Sequence, residues 1–141
     1  MINEEHFFAS FGSRLTAGVI DILILFIPFW IVFLIISGNF SFNNWENFLL
    51  NICLIIYLTI TPLLWGGKTV GKSFEKIKIV DKNKESLNLY RMFLREFIGK
   101  YTLATFTFGI STIISVLMIH YRRDKRAIHD FIAGTYVTEY Y

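Results

Sequence analysis

Three long apolar stretches alternate with short polar segments along this chain. They cover residues 15–37, 48–65 and 101–121, and Asp21 is the only Asp, Glu, Lys or Arg within them. Because a helix needs about 20 apolar residues to cross the hydrocarbon core of a bilayer, the first two stretches predict transmembrane helices. The third predicts an apolar helix that either crosses the membrane or re-enters it. The pattern indicates an all-α integral membrane protein whose partner is the lipid bilayer.

Two other interpretations of the first stretch do not fit the pattern. A cleaved signal peptide begins with a basic segment and has a shorter apolar region, whereas residues 1–13 contain Glu4 and Glu5 and no Lys or Arg. A soluble helical protein would need a polar face on each helix, and uncharged stretches of this length provide none.

The charged residues divide the polar segments into two kinds. Of the 14 Lys and Arg residues, nine lie between residues 66 and 100, four lie in residues 122–126, and residues 38–47 contain none. Since basic loops stay in the cytoplasm, residues 66–100 and the N-terminus are predicted to be cytoplasmic, in a multi-pass protein of the cytoplasmic membrane. A single crossing by residues 101–121 would place the second basic cluster outside. A re-entrant path that breaks near Gly109 would keep it inside, and charge favours that path.

Residues 66–100 also carry local structure. Lys76 to Ile79 alternates polar and apolar positions and leads into a turn at residues 81–84, which predicts a short cytoplasmic strand. Residues 89–100 place Leu89, Met92, Phe93 and Phe97 at helical spacing with Arg91 and Arg95 off that face. This spacing predicts an amphipathic helix on the inner membrane surface, although a solvated connector would have a similar composition.

Residues 66–73, GGKTVGKS, match the phosphate-binding P-loop formally. That loop works only between a buried parallel strand and a helix, whereas here an apolar helix precedes it and a strand follows it. We therefore expect a glycine-rich turn and no nucleotide. The chain has no metal-ligand cluster and no catalytic constellation, and its single cysteine lies in an apolar stretch. We expect no enzyme activity, no cofactor, no metal and no nucleic-acid partner.

Arg14 and Asp21 are the most informative charges in the membrane segments. They lie about two helical turns apart, so they share one face of the first helix with Ala17 and Gly18. Arg14 is at the inner interface, where its side chain can reach water, but Asp21 lies within the hydrocarbon. Asp21 must therefore face protein, water or a partner.

Four motifs in order resemble the RDD family of bacterial membrane proteins. They are Phe11-x-x-Arg14-x-x-Ala17-x-x-x-Asp21, then Gly67-x-Thr69-x-Gly71-Lys72 followed by Lys78 to Asp81, then Arg95, and finally Arg126-x-x-His129-Asp130-x-x-Ala133-Gly134-Thr135. The resemblance covers nearly the whole chain, as a single domain of residues 1–141. It implies that Arg14, Asp21 and Asp130 are the arginine and two aspartates for which the family is named. It also implies a part in transport, with no settled common substrate.

Two functional hypotheses follow. In the first, the protein moves a small solute, cation or proton, with Asp21 at the binding site. In the second, it is a membrane-embedded assembly or accessory subunit, and Asp21 serves helix recognition. Three short apolar stretches are few to enclose a pathway, so either hypothesis predicts a homo-oligomer or a membrane partner.

We further predict that Arg14, Asp21 and Asp130 form one coupled polar site. In the alternative, Arg14 binds lipid phosphate, Asp21 bonds a Thr or Ser of the third stretch, and Asp130 caps a turn.

Overall fold

The structure is a computed structural model that describes residues 7–38, 43–83 and 86–140. Two long helices dominate it: α1 (Phe11–Ser37) and α2 (Asn44–Leu64). Both are long and apolar enough to cross a membrane, and most of their length is exposed on the surface of the chain. The two predicted transmembrane helices are therefore present. Much of the loop between them, and Lys84 of the predicted turn, lie outside the described residues.

Helix α1 begins earlier than the apolar stretch because Ser10 caps it. The Ser10 hydroxyl accepts a hydrogen bond from the Ser13 amide at 3.2 Å, which satisfies one of the free N–H groups of the first turn. Gly38 ends the helix in the left-handed conformation, with φ of +67°. The earlier start brings Arg14 inside the helix, one turn from its beginning.

A glycine-rich turn joins α2 to the short helix α3 (Val70–Phe74), which packs on α1. At Gly71 the two backbones touch: a Cβ atom there would lie 2.0 Å from the carbonyl oxygen of Ala17. At Gly67, which has φ of +90°, a Cβ atom would lie 2.0 Å from the carbonyl oxygen of Ile79. Only glycine fits either position.

The predicted strand is β1 (Ile77–Asp81), and it has a partner that the pattern did not predict. Strand β2 (Thr135–Glu139) pairs with it in antiparallel register, with Ile79 opposite Val137. The backbone at Phe8 forms a further bridge to Thr138. The predicted helical chain with one short strand thus lacked β2, which completes a small sheet that joins the start of α1, the segment after α3 and the tail.

The third apolar stretch is broken into separate helices. Helix α4 (Leu89–Phe93) continues into a π-helix (Leu94–Thr102) and then α5 (Leu103–Phe106), and helix α6 (Ile110–Tyr121) follows a turn. At the turn, Phe108 and Gly109 have φ of +51° and +85°. The π-helix and α6 both contact helix α7 (Ile128–Ala133), so the chain doubles back at residues 107–109. We call residues 94–121 the helical hairpin.

The predicted amphipathic helix is present, and Leu89 and Phe93 of the face predicted to lie on the membrane surface are exposed. Met92 of the same face and Arg95 off it are instead buried in the protein, which the prediction did not include. The π-helix turns Arg95, Glu96 and Gly99 toward α7, and Gly99 approaches so closely that a Cβ atom there would lie 2.6 Å from the Cβ of His129. Burial here follows ion pairs and close backbone contact, which an apolar pattern does not reveal.

Candidate functional site

Asp130 in α7 lies at the centre of a buried ion-pair cluster. Its Oδ2 atom accepts hydrogen bonds from Arg14 Nη1 at 2.7 Å and from the Ala127 amide at 3.0 Å. Its Oδ1 atom accepts from Arg95 Nη1 at 2.5 Å. Asp130 is fully buried, with 0% of its surface exposed. One carboxylate therefore connects α1, the π-helix and α7.

The cluster extends from Arg95 to a second buried carboxylate. Arg95 Nε donates to Glu96 Oε1 at 3.2 Å, and Lys100 Nζ donates to Glu96 Oε2 at 2.7 Å. Arg95 Nη1 also donates to the Thr135 hydroxyl at 3.0 Å, which connects the cluster to β2. We call Arg14, Arg95, Glu96, Lys100 and Asp130 the arginine–aspartate cluster.

Both carboxylates of this cluster are held in their ionised form. Burial alone would raise the pKa of Asp130, but Arg95 and Arg14 outweigh it and hold the pKa of this carboxyl well below its ordinary value. Burial likewise opposes ionisation of Glu96, yet Lys100 and Arg95 lower its pKa to about 2. Burial lowers the pKa of the neighbouring His129 to about 3, so this imidazole is neutral at pH 7.

Asp21 in α1 is held by a different set of donors. Its carboxylate accepts hydrogen bonds from the Tyr57 hydroxyl at 2.9 Å, the Thr69 hydroxyl at 2.6 Å and the Gly71 amide at 2.8 Å. Tyr57 in turn accepts from the Val70 amide at 3.2 Å. The donors of the glycine-rich turn that matches a P-loop thus bind the Asp21 carboxylate of the same chain. Asp21 anchors this turn and α3 to α1 and α2.

The three residues predicted to form one polar site are all largely buried, but they do not share their contacts. Arg14 pairs with Asp130, as the prediction of a coupled site requires. Within the described residues, no hydrogen bond or ion pair joins Arg14 to Asp21; the other two nitrogens of Arg14 donate to the Ala9 and Lys125 carbonyls. Asp21 and Asp130 therefore occupy two separate polar centres.

Sequence reasoning missed several residues of these centres. It put Arg95 off the apolar face and among the family motifs without a partner, and it assigned no role to Tyr57, Glu96 or Lys100. The 2.7 Å contact between Glu96 and Lys100 has a sequence signal, because residues four positions apart in a helix are neighbours. Tyr57 has none, since its partner Asp21 lies in another helix.

A cavity of about 470 Å³ lies between α1, α2 and the helical hairpin. Its apolar wall comes from the long helices and α6, with Leu15, Ile22, Leu54 and Val116 among its residues. Charged residues also line it, namely Arg14, Asp21, Lys72, Arg95, Glu96 and Lys100, and we call this part its charged end. Within the part of the chain that the structure describes, no group of three His, Cys, Asp or Glu residues could hold a metal ion. The cavity is thus an amphipathic space suited to a small molecule.

Comparisons with known proteins identify a family and relatives that are similar to this chain in sequence. The family model described as "RDD family" matches residues 8–134. The uncharacterized protein YckC of Bacillus subtilis (strain 168) is 34% identical over 130 residues, which are 92% of this chain and 83% of that protein. The uncharacterized protein RP437 of Rickettsia prowazekii (strain Madrid E) is 36% identical over 103 residues, which are 71% of this chain and 54% of that protein. No solved structure matches the chain.

Proposed function

The chain belongs to the RDD family of membrane proteins, and from that premise we propose that it takes part in transport across the cytoplasmic membrane. In this proposal the cavity between α1, α2 and the helical hairpin is the solute-binding site. The observation that carries it is the cavity itself, about 470 Å³ with an apolar wall and a charged end. Small-molecule sites typically span roughly 300–1,000 Å³ and have few, converging polar groups.

We place the charged end of the cavity on the cytoplasmic side and treat the helical hairpin as re-entrant. The sheet brings Phe8, β1 and β2 together, which supports one side for the N-terminus, residues 66–83 and the tail. Phe108, at the turn of the hairpin, is 95% exposed, and Phe106 beside it is also exposed. An apolar tip of this kind is stable in lipid and costly in water. In this arrangement both basic segments are cytoplasmic, as the positive-inside rule favours.

Asp21 is assigned a positioning role in this proposal. Both of its oxygens accept hydrogen bonds from neutral donors, which keep the glycine-rich turn against α1. A cation at the charged end would meet the positive charges of Lys72 and Lys100, so a small solute is favoured over a cation or proton as cargo. No catalytic step is assigned.

Two long helices and one hairpin are few to enclose a pathway, so the working unit is a homo-oligomer or a complex with a membrane partner.

The second candidate is a membrane-embedded assembly or accessory subunit without transport of its own. It is favoured by the saturation of the two aspartates, because each carboxylate has three donors, as expected for residues that hold helices together. Transport requires that the cavity is open to a solute, whereas an accessory subunit does not require an open cavity.

A cavity-filling variant distinguishes them. Ala104 lines the cavity from α5, so Ala104→Phe should fill it. Leu117→Phe adds bulk to the exposed face of α6 and is the matched control.

The protein is reconstituted in phosphatidylcholine vesicles, and movement of protons, radiolabelled Na⁺ and Rb⁺, and radiolabelled octyl phosphate is measured. We expect flux of octyl phosphate above that of protein-free vesicles, abolished by Ala104→Phe and retained by Leu117→Phe. If no probe moves, or if the filled variant transports normally, the accessory-subunit candidate replaces this one.

A further inference from the structure

Lys72 is a buried cation at the charged end of the cavity, where Glu96 and Asp21 attract its charge without contacting it. Lys72 is 9% exposed and lines the cavity from α3. Its backbone is held in place, because the Lys72 amide donates to the Thr69 hydroxyl at 3.3 Å and the adjacent Gly71 binds Asp21. Its side chain makes no hydrogen bond and no ion pair within the described residues.

The carboxylates near Lys72 are already engaged with other groups. Asp21 accepts from the Tyr57 and Thr69 hydroxyls and the Gly71 amide, and Glu96 accepts from Arg95 and Lys100. The Lys72 ammonium group keeps accessible surface, since Thr59 Oγ1 is the one fully buried side-chain polar atom without a hydrogen-bond partner in the described residues. Burial, reinforced by the positive charge of Lys100, lowers the pKa of Lys72 to about 8, so the group is still mostly charged at pH 7.

The charges that surround this end of the cavity sum to a positive value. The cations Arg14, Lys72, Arg95 and Lys100 face the carboxylates of Asp21 and Glu96, with Asp130 directly behind them. Four positive charges against three negative charges leave one positive charge at this end of the cavity. His129 lines the same end and is neutral. An anion placed there would offset this charge.

The remaining wall of the cavity is mostly apolar. It is formed by side chains of α1, α2 and α6, which include Leu15, Ile22, Leu54, Ile55, Leu58 and Val116, and its polar members are Asn51, Ser111, Thr112 and Ser115. A free inorganic anion would leave this wall without a partner, whereas a hydrocarbon chain would contact it. The volume of about 470 Å³ is that of a small-molecule site, so one chain is a better match than a large lipid.

We infer that the cavity binds an amphipathic anion with one apolar chain and a carboxylate or phosphate head, whose oxygens accept hydrogen bonds from Lys72 Nζ. The inference rests on the proposed function, since it names the class of solute for the same cavity. Lys72 is the specificity-determining residue because its ammonium group lines the cavity and has no hydrogen-bond acceptor among the described residues. The apolar chain lies between α1, α2 and α6.

Binding is tested with full-length protein purified in an uncharged polyoxyethylene detergent. Dodecanoate, dodecyl phosphate, dodecanol and inorganic phosphate are titrated in turn, and native mass spectrometry counts the bound molecules. We expect one saturable molecule of each dodecyl anion per chain, and binding of dodecanol and inorganic phosphate weaker by at least about tenfold, because each lacks either the charge or the chain. A difference between the carboxylate and the phosphate identifies the head that the site prefers.

Four variants locate the site. Lys72→Met keeps the length of the side chain but removes the charge, and it should weaken anion binding by at least about tenfold. Lys72→Arg should restore binding. Lys82→Met removes a charge from the exposed turn after β1 and should leave binding unchanged. Ala104→Phe should abolish binding by filling the cavity with Lys72 intact, which tests the site even if Lys72→Met does not fold.

Three outcomes would overturn the inference: dodecanol binding as tightly as the anions, Lys72→Met binding normally in folded protein, or Ala104→Phe binding normally. Failure of the transport proposal gives a different result. In that case the anions bind and depend on Lys72, but octyl phosphate does not move in vesicles. If octyl phosphate does move but neither dodecyl anion binds saturably, transport stands and the assignment of this cavity to an anion is wrong.

Discussion

Asp21 and Asp130 are both buried carboxylates, but the donors that hold them differ in charge. Asp130 accepts from two guanidinium groups, those of Arg14 and Arg95. Asp21 accepts from the neutral Tyr57 and Thr69 hydroxyls and a backbone amide. Removing one partner of a buried ion pair leaves an uncompensated charge, whereas removing a neutral donor costs one hydrogen bond. The two aspartates should therefore respond differently to mutation of their neighbours.

A double-mutant cycle tests this difference. Arg14→Ala combined with Asp130→Asn should show coupling of at least about 1 kcal/mol, because the two side chains form an ion pair with Asp130 fully buried. Arg14→Ala combined with Asp21→Asn should be additive within about 0.5 kcal/mol, because no contact joins these residues. Unfolding in detergent, followed by circular dichroism, measures both cycles.

The second cycle is the matched control for the first. Strong coupling between Arg14 and Asp21 would restore the hypothesis of one site that contains all three residues. Additivity between Arg14 and Asp130 would mean that their 2.7 Å contact contributes little to stability.

At the scale of elements, the proposed topology depends on the helical hairpin. Two residues in succession, Phe108 and Gly109, have positive φ, so the helix cannot continue through them. Helix α6 covers only Ile110–Tyr121, which is shorter than the roughly 20 residues a spanning helix needs. The tail then returns through α7 to pair with β1. A single crossing by the third apolar stretch would separate these two strands.

Cysteine labelling tests the side of the tail. In a Cys53→Ala background, single cysteines replace Asn44, Asn83 and Arg123, all of which are exposed. Thr138 would be a poor reporter because it is buried in β2. With an impermeant maleimide on intact cells, we expect labelling at position 44 alone. Positions 83 and 123 should react only after permeabilisation, because the sheet holds both segments at one end of the molecule.

Position 83 is the control for position 123. Labelling of position 123 in intact cells while position 83 stays protected would place the tail outside. The hairpin would then have to cross the membrane, and the pairing of β1 with β2 could not persist in the cell.

At the scale of the whole molecule, the buried ion pairs and His129 make the free energy of unfolding depend on pH in the acid range. The pKa of His129 falls to about 3 in the folded protein, so between about pH 6.5 and 3 the unfolded chain binds a proton that the folded chain does not. The contribution of His129 to stability should therefore be complete above about pH 6.5 and decrease as pH falls. The pKa of Glu96, lowered to about 2, adds a second decrease below about pH 4.5, and Asp130 contributes in the same direction.

The window from pH 6.5 to 5 isolates the histidine. His129→Gln should flatten the decrease in melting temperature across this window, because glutamine takes up no proton. His120→Gln is the control, since His120 is exposed at the end of α6, and it should keep the wild-type slope. Thermal unfolding in detergent at several pH values measures both. An unchanged slope in His129→Gln would mean that His129 is hydrated in the folded state.

Local patterns in the sequence determined the class of the protein and most of its elements. The apolar stretches predicted α1 and α2, the alternation of Lys and Ile predicted β1, and Gly109 marked the break before α6. Length, periodicity and the conformational freedom of glycine act over a few residues, so a sequence displays them directly. The order of the four motifs likewise indicated the RDD family, which the family model confirms.

The tertiary structure decided most of the contacts between polar groups. Arg14 and Asp130, which the sequence analysis placed in one site, are 116 positions apart, and Asp21 and Gly71 are 50 positions apart. No local pattern encodes the donors of Asp21, because each buried charge takes the partner that the packed helices bring within reach. For the same reason the burial of Arg95 among ion pairs and the position of Lys72 at the cavity were not predicted. Strand β2 and the cavity also depend on this packing, since both exist only where distant segments meet.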